Sequence, residues 1–249
     1  MQSIFQTILF QPIFNLLVFI YNFIPDIGIV IVILTIVIKI ILYPLNSATI
    51  RAQKAMTDLQ PKVDEIKKKH ADNKQLANME VLKMYQENKI NPFGSCLPLL
   101  IQLPILIALY WVLQAGLTTD VSGVAKSLES LYSFVRSPGS INTVTLGLFD
   151  LSQKGNYALS LLAGAAQFWQ FKMMTRKHPP KEAGAAGKDE DMAAMMNKQM
   201  LYLMPAMTVF IGVSLPAGLA LYWLVSTVLT ALQQLVVFKR TPAPEHPST

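Results

Sequence analysis

The 249-residue chain contains little charge and few residues of the kinds that bind metals or perform chemistry. Only 14% of its residues are charged, whereas soluble domains carry roughly 25%. Its single cysteine, Cys96, excludes an intramolecular disulfide framework. Its histidines, His70, His178 and His246, have no cysteine pair nearby, so we expect no metal site. Walker and G-x-S-x-G sequences are also missing, and nothing therefore predicts an enzyme or a bound cofactor.

Hydrophobic residues make up 52% of the chain, and several apolar runs approach the length of about 20 residues that a helix needs to cross a bilayer. The candidate spans are residues 28–45, 92–114, 157–174, 200–213 and 217–238. The fourth is short and contains Pro205, and a turn at residues 214–218 joins it to the fifth. The sequence predicts an all-α membrane protein with a five-span helical core.

These spans divide the chain into nine parts. They are an N-terminal interfacial helix (1–25), the first span (26–46), a charged helical hairpin (47–90), the second span (91–115), an outer loop of short helix and irregular structure (116–154), the third span (155–175), a charged loop (176–198), the fourth and fifth spans (199–238), and a disordered tail (239–249).

The N-terminal segment, residues 4–24, is long enough to cross a membrane but is polar along one side. Gln11, Asn15, Asn22 and Asp26 fall within an arc of about 60° at a helical step of ~100° per residue. That pattern favours a helix lying in the membrane interface, and a sixth span is the alternative. No positive charge or small-residue cleavage site marks a conventional signal peptide, so we expect the segment to be retained.

The placement of Lys and Arg indicates how the chain is oriented. Nine lie in residues 46–91, three in 115–156, six in 172–199, and none at the turn of residues 214–218. Because cytoplasmic loops carry the excess of these residues, the alternation predicts five spans, an outer N-terminus and a cytoplasmic C-terminus. The net charge of +6 then reports topology and contact with anionic lipids, not a specific nucleic-acid partner.

Residues 47–90 form a predicted helical hairpin in the cytoplasm, with a turn at residues 70–73. Apolar residues recur at four-three spacing at Ala52, Met56, Leu59, Val63 and Ile66, and helical spacing continues at Leu76, Met79 and Leu82. One interpretation is a contact surface for the ribosome, a translocon or a substrate, and the other is a solvated positive anchor. The basic residues proposed for contact are Arg51, Lys54, Lys62, Lys67 and Lys68.

Lys39 is the one Lys or Arg well inside a predicted span, and no acidic residue in a span is available to neutralise it. A charged side chain at that depth costs about 2.5–3.5 kcal/mol on insertion scales, so it normally faces a water-filled cavity or a partner. Thr35 lies one turn away on the same face. A polar groove containing both is one hypothesis, and snorkelling of Lys39 to the interface is the other.

Two other spans also carry polar side chains. Gln102, between two prolines of the second span, either lines the same groove or forms a hydrogen bond between helices. In the last span Tyr222, Ser226 and Gln233 share one stripe, and Trp223 adjoins it. A polar inner face is predicted there, and an aromatic belt is the alternative for Tyr222 and Trp223.

Several segments resemble, in order, the signature of the YidC family of membrane protein insertases, which includes the Oxa-type and Albino-type proteins. The most specific is residues 91–105, followed by Ala108-Leu109-Tyr110. The others are residues 11–14, 35–45, 59–62, 149–151, 204–205 and 216–223.

The resemblance implies a five-helix core around a hydrophilic groove that opens to the cytoplasm and the lipid. It further implies a short form, without the large outer domain of some members, that inserts nascent membrane proteins into the bacterial plasma membrane. Lys39 stands where the family usually has arginine. Together with the polar residues of the other spans, it leads us to expect a groove lined by Lys39, Thr35, Gln102, Tyr222, Trp223 and Ser226. The implied partners are the ribosome and the Sec translocon. A lipid scramblase, a small transporter and a dependent translocon subunit are the alternatives.

Overall fold

The computed structural model describes residues 2–88, 90–91, 97–117, 130–175 and 199–240. The described chain is mostly helical, with one small antiparallel pair of strands. Its elements are α1 (Gln11–Tyr21), α2 (Ile27–Ile41), α3 (Tyr43–Asp58), α4 (Gln60–Lys69), α5 (Lys74–Glu87), α6 (Leu97–Leu117), β1 (Val144–Thr145), β2 (Phe149–Asp150), α7 (Tyr157–Thr175), α8 (Met204–Ser214) and α9 (Ala217–Arg240). A helical turn (Gln2–Phe5) and a π turn (Gln6–Phe10) precede α1, and a second π turn (Gln199–Leu203) precedes α8.

Helix α2 begins at a side-chain cap and ends at a bend. The Asp26 carboxylate accepts hydrogen bonds from Gly28 N at 2.9 Å and Ile29 N at 3.1 Å, which satisfies two free donors of the first turn. Helix α3 starts at Tyr43 with Pro44 in its first turn, where a missing N–H costs nothing. The chain bends by 71° at this break, so the helix of the first predicted span ends at Ile41 and does not continue to residue 45.

The main hydrophobic core lies where α1, α2, α6 and α9 meet, and Leu17, Ile31, Leu109 and Leu219 are fully buried there. Helices α7 and α8 pack against each other beside this core. They approach so closely that a Cβ added to Gly212 on α8 would lie 2.9 Å from Ser160 Oγ on α7. Small residues at such crossings let two helix backbones approach, which is common between helices in membranes.

Within the predicted hairpin of residues 47–90, α4 and α5 pack against each other, whereas residues 47–58 belong to α3. Leu59 and Val63 pack against Met84 in a small separate core with Ile66 beside them, which confirms the second half of the predicted seam. Ala52 and Met56, its first two residues, lie on α3 and are only partly buried. The spacing at Leu76, Met79 and Leu82 does not mark the packed face of α5, because all three side chains are exposed.

The described residues 130–156 contain no helix, so the short helix expected in this loop is not found in this part of it. They form turns and the β1–β2 hairpin, in which Val144 pairs with Asp150 and Thr145 with Phe149. Leu146, in the connecting turn, has a φ of 51°. The preceding part of the loop, residues 118–129, lies outside the described residues. So do the predicted charged loop at 176–198 and the tail beyond Arg240.

The polar arc of the N-terminal helix holds this loop in place. The buried Asn15 side chain donates to Ser130 O at 2.9 Å and accepts from Tyr132 N at 2.6 Å. Asn22 donates to Arg136 O at 2.8 Å. The arc therefore satisfies loop backbone groups, and its polarity does not require an interfacial helix.

Within the described residues, one helix, Ala217–Lys239, is long and apolar enough to cross a membrane alone. A second candidate is the bent pair Ile27–Ile41 and Tyr43–Lys69, counted as one span. Three shorter apolar helices are Gln6–Tyr21, Leu100–Ala115 and Leu201–Ser214. The helical class is confirmed, and the five-span core remains a prediction.

Candidate functional site

Lys39 lies in the last turn of α2 and reaches across to α9. Its Nζ donates to Thr230 Oγ1 at 2.8 Å, and that hydroxyl donates to Ser226 O at 2.8 Å. No ion pair joins Lys39 to a carboxylate within the described part of the chain. The half-buried ammonium is therefore held by a neutral hydroxyl, which leaves its charge uncompensated by protein there.

Thr35 does not extend the polar surface around Lys39. Its side chain is fully buried, and its Oγ1 donates to Ile31 O of the same helix at 2.6 Å. The bond satisfies the hydroxyl locally, as is usual for threonine inside a helix. The two residues are neighbours on α2, but the structure does not bring the Thr35 hydroxyl to the Lys39 ammonium through a hydrogen bond.

Gln102 and Tyr222 connect α6 with α9. Gln102 Nε2 donates to the Tyr222 hydroxyl at 2.8 Å, and Tyr222 is only 1% exposed. Tyr222 is therefore a core residue and not part of an aromatic belt. Trp223 beside it is half-buried, and Ser226 one turn further along α9 is buried. Of the two interpretations of Gln102, groove lining and a hydrogen bond between helices, the structure shows the hydrogen bond.

A polar column thus follows one side of α9, from Tyr222 through Ser226 and Thr230 to Gln233. Gln233 Nε2 donates to Ser47 Oγ at 2.8 Å and so connects α9 with α3. The sequence indicated the stripe on α9, but it did not identify Thr230 as the partner of Lys39 or Ser47 as the partner of Gln233. The one signal for Thr230 in the sequence was its spacing of four from Ser226, which places both residues on the same side of α9.

The comparisons with known proteins extend over most of the chain. The model of the family described as "60Kd inner membrane protein" matches residues 19–244. The chain belongs to this family. The resemblance inferred from the motifs is therefore confirmed, and membership makes the chain a bacterial inner membrane protein.

Curated relatives in the 60Kd inner membrane protein family carry the name "Membrane protein insertase YidC". The protein of Fusobacterium nucleatum is 35% identical over 219 residues, which are 88% of this chain and 89% of that protein. Those of Actinobacillus pleuropneumoniae serotype 3 and Haemophilus influenzae are 33% and 34% identical over 230 residues. These alignments cover 92% of this chain but 36% of each relative, so the chain spans about a third of the longer proteins.

The basic residues proposed for partner contact in this family member differ in exposure. Arg51, Lys62 and Lys68 are exposed and Lys67 is half-buried. Lys54 is buried, lies 3.4 Å from Asp58, and lines a small cavity with Thr57, Met173, Met174 and Phe238. Lys54, on α3, is therefore buried against α7 and α9 and is not presented for contact with a partner.

The family signature at residues 91–105 is only partly described. Residues 92–96, including Pro92 and Cys96, lie outside the described residues, and α6 contains Pro104. Within the described ranges no group of three or more His, Cys, Asp or Glu side chains is placed to hold a metal ion.

Proposed function

We propose that this chain inserts nascent membrane proteins into the bacterial inner membrane and assists their folding. The observation that carries the proposal is Lys39, an uncompensated cation between α2 and α9 in a protein whose relatives are named insertases. The polar, often acidic, flank of an incoming segment would enter beside Lys39. Attraction by that charge, with water, would lower the cost of moving the flank into the bilayer.

Lysine in place of the family's usual arginine changes how an acidic flank is held. An ammonium is a compact charge with three donors, whereas guanidinium offers a planar fork that binds a carboxylate through two bonds. We expect Lys39 to attract an acidic flank without bidentate capture. The single hydroxyl of Thr230 is a weak competitor for the ammonium, because hydrogen bonds to an ionised acceptor are roughly twice as strong as those to a neutral one.

The hydrophobic part of the substrate would leave over the apolar surface of α7 and α9. Leu161 and Leu162 on α7, and Leu232 and Leu235 on α9, are large apolar residues with exposed side chains. Burial of apolar surface in lipid at about 25 cal/mol per Å² would then drive release. This route favours substrates with one or two spans and short translocated ends.

Several further expectations belong to the same proposal. The core would have five spans, an outer N-terminus and a cytoplasmic C-terminus, with the N-terminal helix in the interface. The α4–α5 hairpin, through Lys62, Lys67 and Lys68, and the preceding helix α3, through Arg51, would meet the ribosome, the Sec translocon or substrate. Anionic lipids would balance the remaining positive charge.

Reconstitution tests the function directly. The purified chain is placed in liposomes, and insertion of a short single-span protein with an acidic tail is measured by protease protection. Insertion well above that of empty liposomes is the expected result. Lys39→Ala should lower it, and Lys154→Ala, a change at an exposed loop position, is the matched control for that variant. Absence of insertion in correctly oriented vesicles would contradict an autonomous insertase and favour a translocon-dependent chaperone or a lipid scramblase.

A further inference from the structure

The β1–β2 hairpin presents large apolar side chains to its surroundings. Leu146 and Leu148 are 69% and 75% exposed, and Val144 and Phe149 are exposed beside them. We call these four residues the hairpin tip. No residue from position 137 to position 149 is charged, which is unusual for a loop that faces only water.

The backbone that carries the hairpin tip is fixed to the end of the helical bundle. The Asp26 carboxylate, which caps α2, also accepts from Thr145 Oγ1 and from Leu146 N, the latter at 2.9 Å. After strand β2, Leu151 O accepts from Gly218 N of α9 at 2.9 Å. Both strands are therefore tied to the bundle at the level where α2 and α9 begin.

Leu146 occupies a conformation that leucine seldom adopts. Its φ of 51° lies in the left-handed region, where glycine or asparagine would be unstrained. Leu146 thus places a large apolar side chain on the surface of the turn, in a backbone conformation that is unfavourable for leucine. An interaction with an apolar medium outside the chain would offset this strain.

The surroundings of the hairpin tip indicate which medium that is. Ile29, in the first turn of α2 and next to the Asp26 cap, is exposed, as expected for a helix facing lipid. Tyr157, at the start of α7, is 67% exposed, and tyrosine is enriched at the boundary between membrane and water. The hairpin tip is held at this same end of the bundle, through the bonds to Asp26 and Gly218.

We propose that the hairpin tip inserts into the bilayer leaflet at the end of the bundle where α2 begins. The occupant of this surface is lipid, and the uncharged run from 137 to 149 allows the turn to enter the headgroup region without burying a charge. Insertion would anchor the loop of residues 130–150 against the membrane. The proposal requires only that the chain is a membrane protein, and it does not depend on the insertase function.

Depth-dependent fluorescence quenching tests this placement. After Cys96→Ser, a nitrobenzoxadiazole label is attached to Leu148→Cys and, as the matched control, to Ser140→Cys on the same loop. Both positions are exposed, so neither label should disturb folding, and elution as a single species checks this. The chain is placed in phosphatidylcholine–phosphatidylglycerol vesicles with iodide on both sides or with shallow nitroxide-labelled lipids.

We expect the label at position 148 to be blue-shifted, quenched by the nitroxide lipids, and protected from iodide severalfold relative to position 140. Equal iodide quenching at both positions, with no quenching by lipid, would overturn the proposal. Protection that arises only when a membrane protein substrate is added would overturn it too and would assign the hairpin tip to polypeptide. Insertion measured in the same vesicles reports separately on the proposed function.

Discussion

The ammonium of Lys39 on α2 lies 2.8 Å from the hydroxyl of Thr230 on α9, although 191 positions separate the two residues in the sequence. The contact joins α2, which carries Lys39, to the helix that carries the polar column. It leaves the positive charge supported by one neutral group, and this arrangement is the basis of the proposed attraction for acidic substrates.

Replacement of Thr230 by valine should destabilise the protein by about 1–3 kcal/mol, because the buried part of Lys39 loses its hydrogen-bond acceptor. Thr230→Ser retains the hydroxyl and should remain close to the original stability. Thermal unfolding in detergent, followed by tryptophan fluorescence, measures both variants. The double variant Lys39→Met with Thr230→Val should recover much of the loss. If the two changes were simply additive, the residues would not be coupled.

Replacement of Tyr222 by phenylalanine should lower stability by about 1–3 kcal/mol, since it leaves Gln102 Nε2 without its acceptor between α6 and α9. Gln102→Leu combined with Tyr222→Phe removes both polar groups and should cost less than Tyr222→Phe alone. A double-mutant cycle on unfolding midpoints measures this coupling. A coupling energy of zero would show that the bond does not contribute to packing of the two helices.

Gly28 permits the close approach of the β1–β2 hairpin to α2. A Cβ added there would lie 2.7 Å from Thr145 Cβ, so Gly28→Ala should displace the hairpin and destabilise the protein. This loss should exceed the roughly 0.5–1 kcal/mol that alanine normally gains over glycine in a helix. Limited proteolysis of the loop around residues 130–150 should become faster. Gly28→Ala with Thr145→Gly removes the clash, and a failure to restore protection would argue against this cause.

Asp150 should give the loop an acid-dependent stability. Hydrogen bonds from the Ser152 side chain, and then from Ser152 N and Gln153, outweigh partial burial and lower the pKa of Asp150 from 3.8 to about 2. Because the folded pKa is depressed, the stabilisation is complete above about pH 4 and is lost as the pH falls toward 2.

Proteolysis of the loop by an acid-active protease, compared between pH 4 and pH 2, measures this dependence. The original chain should become markedly more susceptible at the lower pH, beyond the change in the protease's own activity. Asp150→Asn should be more susceptible at pH 4 and should change less between the two values. Identical pH profiles for the two proteins would exclude the carboxylate as the cause.

The sequence was most informative where local physics decides the structure. Apolar runs predicted the helices, and the four-three spacing predicted the packing of Val63 on α4 and of Leu59 just before it, because helical period and burial are properties of neighbouring residues. The first span was predicted to end at residue 45, whereas α2 ends at Ile41 and α3 begins at Tyr43. Proline is accepted in the first turn of a helix, so Pro44 alone did not show whether it closes one helix or opens the next.

Contacts between distant segments were not predictable in this way. Lys39 stood out because a cation within an apolar run is costly, but nothing near it in the sequence indicated Thr230. The polar arc at Asn15 and Asn22 predicts an interfacial face, and the structure shows in addition that both side chains donate to loop backbone more than 110 positions away. The same helical periodicity is expected for a polar face in the membrane interface and for a polar face that binds a loop. Only contacts between distant segments distinguish the two.

The central claim is that the charge of Lys39 attracts the acidic flank of a substrate. Its most direct test measures insertion of three matched single-span proteins, with acidic, neutral and basic tails, into liposomes that contain the original chain, Lys39→Arg or Lys39→Met. The account predicts that Lys39→Met lowers insertion of the acidic-tailed protein severalfold, that Lys39→Arg preserves it, and that the neutral-tailed protein is little affected. Full insertion of the acidic-tailed protein by a correctly folded Lys39→Met variant would contradict the account.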